Sequence, residues 1–178
     1  QLLGVLLFCL VDSLFFQRFH ERVRRRLLPA LGELPEIALN LGGSLQPLPG
    51  ADDMLKTMHG AGVCLAVVSN KTGRYLRAEA QHLGWDGYFY RMVGAGDAAR
   101  DKPAEDPVHM ALDGTRIVAG SDVRFVGDAG IDMEIAHKTG CTPVLLGVAD
   151  VSGEEFSFFQ PKVLFRSCIE LASCVGAL

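Results

Sequence analysis

Three short stretches carry side chains that could act together on a phosphorylated molecule. Ser69-Asn70-Lys71 offers a hydroxyl and an amide, Asp101-Lys102-Pro103 a lysine, and Gly127-Asp128-Ala129-Gly130-Ile131-Asp132 two carboxylates four residues apart. A hydroxyl and backbone N–H groups can donate to phosphate oxygens. The lysine supplies a compact positive charge, and the carboxylates supply the hard oxygen ligands that Mg2+ prefers. Each stretch alone has a plainer reading. Ser-Asn after a strand is ordinary turn chemistry, Lys-Pro before a helix is a solvated lysine, and Gly-Asp with a second acid is a capped first turn. Their order, their spacing and their common placement where apolar runs end make the three informative together.

Those apolar runs are the elements that must position the chemistry. Gly4–Leu10, Val63–Val68, Tyr90–Val93, Val123–Val126 and Pro143–Leu146 read as strands, with Lys162–Phe165 as a short edge strand. Ala51–His59, Thr72–Leu83, Asp106–Leu112, Ile131–Lys138 and Ile169–Val175 read as helices between and after them. The alternation predicts an α/β, Rossmann-like fold with a mainly parallel sheet flanked by helices. In such a sheet ligands bind beyond the carboxyl ends of the strands. Ser69, Asn70, Lys102, Asp128 and Asp132 are therefore expected to converge on one crevice.

One segment breaks the alternation. Phe15, Phe19, Val23 and Leu27 recur every fourth residue, with Arg18, Arg22, Arg24, Arg25 and Arg26 mostly elsewhere on the wheel. This is the pattern of an amphipathic helix over Phe15–Leu28. Pro29, Pro35, Gly42 and Gly43 then interrupt the chain. Residues 14–46 are read as a short or incomplete helical cap inserted after the first strand, and residues 1–13 and 47–178 as the core.

Composition narrows the partners. The 178 residues are 49% hydrophobic with a formal net charge of −4, which gives no basic face for nucleic acid. The apolar run Gln1–Phe16 is interrupted by Asp12, falls short of the ~20 residues of a spanning helix, and follows no basic segment. A buried strand is the expectation there, with no membrane partner. The cysteines are five, an odd number without a Cys-x-x-Cys pair, as expected of reduced core cysteines in a cytoplasmic protein. The five histidines share no metal-ligand spacing, and Arg22–Arg26 read as a solvated helix face. Trp85, Tyr88, Phe89 and Tyr90 are expected to pack around the third strand. Phe156, Phe158 and Phe159 would cover a sheet edge or support a dimer, leaving monomer and homodimer both open.

The run from Pro49 to Gly147 resembles the core of haloacid dehalogenase (HAD) superfamily phosphatases, in their phosphoglycolate-phosphatase-like branch. PLPGADDMLKTMHGAGVCLAVVSNKTGRYLRAEAQHLG is similar to that family's helix, second strand and second motif. KPAEDPVHMAL resembles its third motif, usually KPxPDP, with Glu105 in place of the second proline. VRFVGDAGIDMEIAHKTGCTPVLLG resembles its fourth motif, GDxxxD, with the following helix and strand. The resemblance implies Mg2+-dependent hydrolysis of a small phosphorylated metabolite through an aspartyl-phosphate. Ser69 would bond the transferring phosphoryl group, Asn70 would shape that loop, and Lys102 would neutralise charge. Asp128 would hold Mg2+, and Asp132 would support the ion or a coordinated water.

The family's first motif, DxDGT, supplies the nucleophile and the acid/base, and the chain has no such run. VLLFCLVDSLFF stands in its place. Aligned without a gap, Cys9 falls at the nucleophile and Val11 at the acid/base. With a gap, Leu10-Val11-Asp12-Ser13 matches the LVDS that often follows the motif, and four consecutive residues then fall into place. Cysteine does not substitute convincingly. A phosphate cradle of the cysteine type needs Arg six positions after the Cys, and Phe15, Asn70 and Gly147 stand there after Cys9, Cys64 and Cys141. The alternative expectation is a catalytically inactive relative that binds phosphate or a partner.

Overall fold

The computed structural model describes the backbone of residues 5–8 and residues 47–175. Six strands form one sheet: β1 (Val5–Phe8), β2 (Cys64–Thr72), β3 (Arg91–Ala95), β4 (Val123–Gly127), β5 (Thr142–Leu146) and β6 (Val163–Phe165). Every pairing is parallel and the order is β3-β2-β1-β4-β5-β6. Five helices accompany them: α1 (Ala51–Gly60), α2 (Gly73–His82), α3 (Asp106–Leu112), α4 (Gly130–Lys138) and α5 (Cys168–Ser173). The expected α/β architecture is thus present. Residues 14–46, the expected cap with its Phe15–Leu28 helix, lie outside the described residues, as does Cys9.

The unbroken apolar runs have a simple cause. Both faces of the sheet are covered, so both parities of each central strand are buried. Leu65, Val67 and Val126 pack on one face with Met54, Leu55 and Met58 of α1, Leu76 and Ala80 of α2, and Leu171 of α5. Ala66, Val68, Val123 and Phe125 pack on the other with Val108 and Ala111 of α3 and Ile135 and Ala136 of α4. Trp85 is fully buried in the first layer, where its indole N–H donates to Asp52 at the start of α1, 3.1 Å away. Tyr90 departs from the expected packing. It is half exposed, with its hydroxyl donating to the Asp113 carbonyl at 3.1 Å. Of the three late phenylalanines, Phe156 is buried beside Met133 and Leu145, with Phe159 packed against them, whereas Phe158 is 89% exposed.

Strand order locates the crevice. The chain steps from β1 outward through β2 to β3, then returns to the other side of β1 with β4. The sheet therefore switches direction at β1, and a parallel α/β sheet leaves a ligand crevice at the carboxyl edge of such a switch. Phe8 of β1 is in register with Val67 of β2 and with Val126 of β4. Ser69 and Asp128 each lie two residues beyond those partners, at matching height on either side of β1. Strands lie ~4.8 Å apart, so the two backbones stand about 10 Å apart across the crevice.

Candidate active site

On the β2 side, the strand runs on past the end expected from its apolar residues. Val68 pairs with Val93, and the next register partner is Thr72 with Ala95, so β2 fits four steps against two on β3. Ser69-Asn70-Lys71 is this bulge. Bulges re-aim side chains and interrupt the ladder beside many active sites. Ser69 is buried and Asn70 exposed. The Ser69 Oγ accepts a hydrogen bond from the Lys71 backbone N–H at 3.0 Å. With one lone pair so engaged, the hydroxyl proton is directed away from Lys71 and can be donated to an oxygen of a bound anion.

On the β4 side, the strand ends at Gly127 and α4 begins two residues after Asp128. Asp132, in the first turn of α4, is fully buried. Its Oδ2 accepts from the backbone N–H groups of Asp128 (3.1 Å) and Ala129 (3.2 Å). The Ala129 bond is a helix N-cap satisfied from the third helical position. A side chain on Gly127 would collide with Asp132, so the close approach of strand end and helix turn requires glycine there. Gly130 donates its N–H to Glu155 Oε1 at 2.7 Å, which fastens the same turn from the β5–β6 connection.

Lys102 enters from the segment before α3, where the Lys102–Pro103 peptide is cis. Its Nζ lies 2.8 Å from Asp132 Oδ1, and neither side chain has any solvent exposure. Such a pair is weak support for stability but fixes both partners in place. Lys102, Asp132 and the Asp128 backbone therefore form one connected unit at the end of β4, opposite Ser69.

The five expected residues are thus distributed as follows. Ser69 and Asp128 flank β1 at one height, and Lys102 joins Asp128 through Asp132. Asn70 sits on the same bulge, with its side chain outside the buried part. Asp132, expected to support the ion or a coordinated water, accepts from protein donors through both its oxygens. Among the described residues no group of three or more His, Cys, Asp or Glu side chains is arranged to hold a metal.

Three contributors escaped the sequence reading. The Lys71 ammonium lies 2.6 Å from Glu79 Oε2 on α2, with 13% and 11% of the side chains exposed. Arg77 clamps Asp97 through two bonds, of 2.7 and 3.2 Å, and Asp97 also accepts from the Gly94 N–H at 2.9 Å. Glu155 is the third. Each partner lies on a different element from its site, at separations of eight to 25 residues that no short motif encodes. The Arg77 guanidinium, first of all, holds the Asp97 carboxyl below its ordinary value.

A parallel sheet with its direction switch at β1 carries a hydroxyl-bearing bulge on one side of the switch and a lysine–carboxylate unit on the other, the layout of an α/β core with a polar crevice at its carboxyl edge. The sequence profile of the haloacid dehalogenase-like hydrolases matches residues 16–146, and the chain belongs to that family. A phosphoglycolate phosphatase of Escherichia coli (strain K12) is 29% identical over 128 residues, covering 72% of this chain and 50% of that protein. The chain spans about half the length of the curated relatives it matches. Among solved structures, a HAD-superfamily hydrolase from Ehrlichia chaffeensis superposes with a TM-score of 0.70 at 23% identity, covering 100% of this chain and 98% of that one. A HAD-hydrolase from Bacillus subtilis bound to magnesium gives 0.63 at 16% identity, over 73% of this chain and 56% of that one. At these identities the structural matches speak for the fold. No helix among the described residues is long and apolar enough to cross a membrane.

Proposed function

We propose that this chain binds the phosphoryl group of a small phosphorylated metabolite, of the phosphoglycolate kind, and hydrolyses its phosphomonoester. The observation that carries this reading is the connected Lys102–Asp132–Asp128 unit facing Ser69 across β1. In it Ser69 donates to a phosphoryl oxygen, with Asn70 shaping the loop. Lys102, oriented by Asp132, neutralises the charge on the oxygens of the transferring group, the main demand of phosphoryl transfer.

Mg2+ keeps several waters and needs as few as one or two carboxylates from the protein, a demand that Asp128 alone can meet. Asp128, half-buried at the strand end, is the residue that would hold the ion. Asp132 is a positioning residue for Lys102 and for the Gly127–Ala129 turn. A bound Mg2+ would supply charge neutralisation at the phosphoryl oxygens.

In this reading hydrolysis is covalent. In it a nucleophilic carboxylate would displace the alcohol from phosphorus, an acid would give the alcohol its proton, and the same group as base would take a proton from the water that frees phosphate and restores the carboxylate. The sequence has no DxDGT run to supply that carboxylate. This observation favours a second reading, a phosphate-binding relative without turnover, because loss of a nucleophile costs on the order of a million-fold in rate.

The two readings separate in one experiment. EDTA-sensitive phosphate release from p-nitrophenyl phosphate, abolished in Asp128→Asn, is the outcome expected of the hydrolase. Saturable binding of inorganic phosphate without turnover selects the second reading. A protein that neither turns over nor binds phosphate, or whose metal response is unchanged in Asp128→Asn, overturns the site itself.

A further inference from the structure

We infer that the Lys71–Glu79 ion pair is a positioning device for the Ser69 hydroxyl; the inference rests on the phosphate-binding reading of that hydroxyl. The bulge that carries Ser69 lacks register partners on β3 between Val68 and Thr72. The ladder that holds a strand in place is therefore absent where the site needs most rigidity. Other restraints stand in its place. The backbone N–H of Lys71 bonds Ser69 Oγ, and the Nζ of the same residue reaches Glu79 on α2 at 2.6 Å. On the far side, the Lys71 carbonyl and Gly73 lie so close to Gly94 that a side chain there would strike both. Lys71 is thus held at both ends, by its ammonium on a helix and by its carbonyl against a neighbouring strand. Its N–H, between them, sets the rotamer of Ser69.

The Lys71–Glu79 pair is about nine-tenths buried, so its attraction is screened far less than that of a surface pair. Among the described residues, Glu79 contacts Lys71. It acts through Lys71 on Ser69, and its removal lets the bulge sample hydroxyl directions that miss the anion. A side chain that binding must first order costs up to about tenfold in affinity.

The test is a double-mutant cycle on the whole chain, with inorganic phosphate as probe and calorimetric titration as readout. Glu79→Gln is expected to weaken phosphate binding about tenfold in the native background and less than about twofold in Ser69→Ala, because the second background has nothing left to orient. Glu79→Asp, which keeps the charge, should recover part of the affinity. A purely structural role would cost the same in both backgrounds, and that result, or a Glu79→Gln protein with native affinity, overturns the inference. Should Glu79→Gln not fold, the apolar replacement Lys71→Met with Glu79→Leu removes the pair without leaving a buried charge and is read the same way. If Ser69→Ala alone binds phosphate like the native protein, the reading of Ser69 has failed, and the positioning role falls with it. That outcome is distinct from one in which Ser69→Ala weakens binding and the Glu79 variants do not.

Discussion

Lys102 and Asp132 show how much one pair of residues can decide. Both side chains are wholly removed from solvent, and each gives the other a countercharge at 2.8 Å. Lys102→Ala is expected to destabilise the protein by about 3–5 kcal/mol, measured by urea unfolding, because it leaves the Asp132 carboxylate buried beside two peptide N–H groups. Lys102→Met with Asp132→Asn should recover much of that loss while abolishing phosphate binding. A Lys102→Ala protein of native stability would contradict the burial described above. At this scale the sequence was partly legible. Ser69, Lys102 and Asp128 could be picked out because their neighbours form recognisable strings. The hydrogen-bonding duty of Asp132 was hidden, since a second acid four residues on reads equally well as a ligand, a cap or a lysine's partner.

At the scale of elements, Arg77 of α2 and Asp97 beyond β3 tie helix and strand together beside the bulge. The sign of their pH dependence follows from the direction of the shift. Asp97 has its carboxyl held below the ordinary 3.8, chiefly by the Arg77 hydrogen bonds. Its contribution is complete above that ordinary value and is lost as pH falls through the depressed folded value. Stability should therefore decline on acidification below about pH 4, and Asp97→Asn should flatten that limb in thermal melts at a series of pH values. An unchanged acid limb in Asp97→Asn would assign the decline to other carboxylates. Elements themselves were readable wherever burial on both faces produced an unbroken run, as in Val63–Val68 and Val123–Val126. Their ends were less so. The second strand was expected to stop at Val68, because Ser69-Asn70-Lys71 is polar, and yet it continues to Thr72. A bulge is defined by the partner strand, and one strand's sequence does not contain that partner. The short 3-10 turns at Asp86–Tyr88 and Glu154–Phe156 carry no periodicity of their own and were not foreseen.

Across the whole molecule, the two helical layers share a single sheet, so neither apolar face can open alone. Two cysteines report on them separately. Cys168 belongs to the layer with α1 and α5, and Cys141 to the layer with α3 and α4. Burial raises both thiols, that of Cys168 to about 11, and only the thiolate reacts. In native buffer neither should be modified by a thiol reagent. On denaturant titration both should become reactive over one common transition, followed by mass spectrometry of the labelled peptides. Labelling of one cysteine well before the other would mean that the layers unfold independently, contrary to a two-state domain.

The place of β1 has a consequence for how the chain comes to be folded. It is the earliest of the described strands in sequence, yet it lies in the interior of the sheet, between β2 and β4. On the ribosome its edges stay open until residues far downstream have been synthesised. At about 5–20 residues per second, several seconds separate β1 from the arrival of Val123. Throughout that interval an apolar ribbon, Val5–Phe8, waits with at least one hydrogen-bonding edge vacant. The nascent chain is most in need of a chaperone before β4 emerges, and the site between β2 and β4 is completed only when that last gap closes.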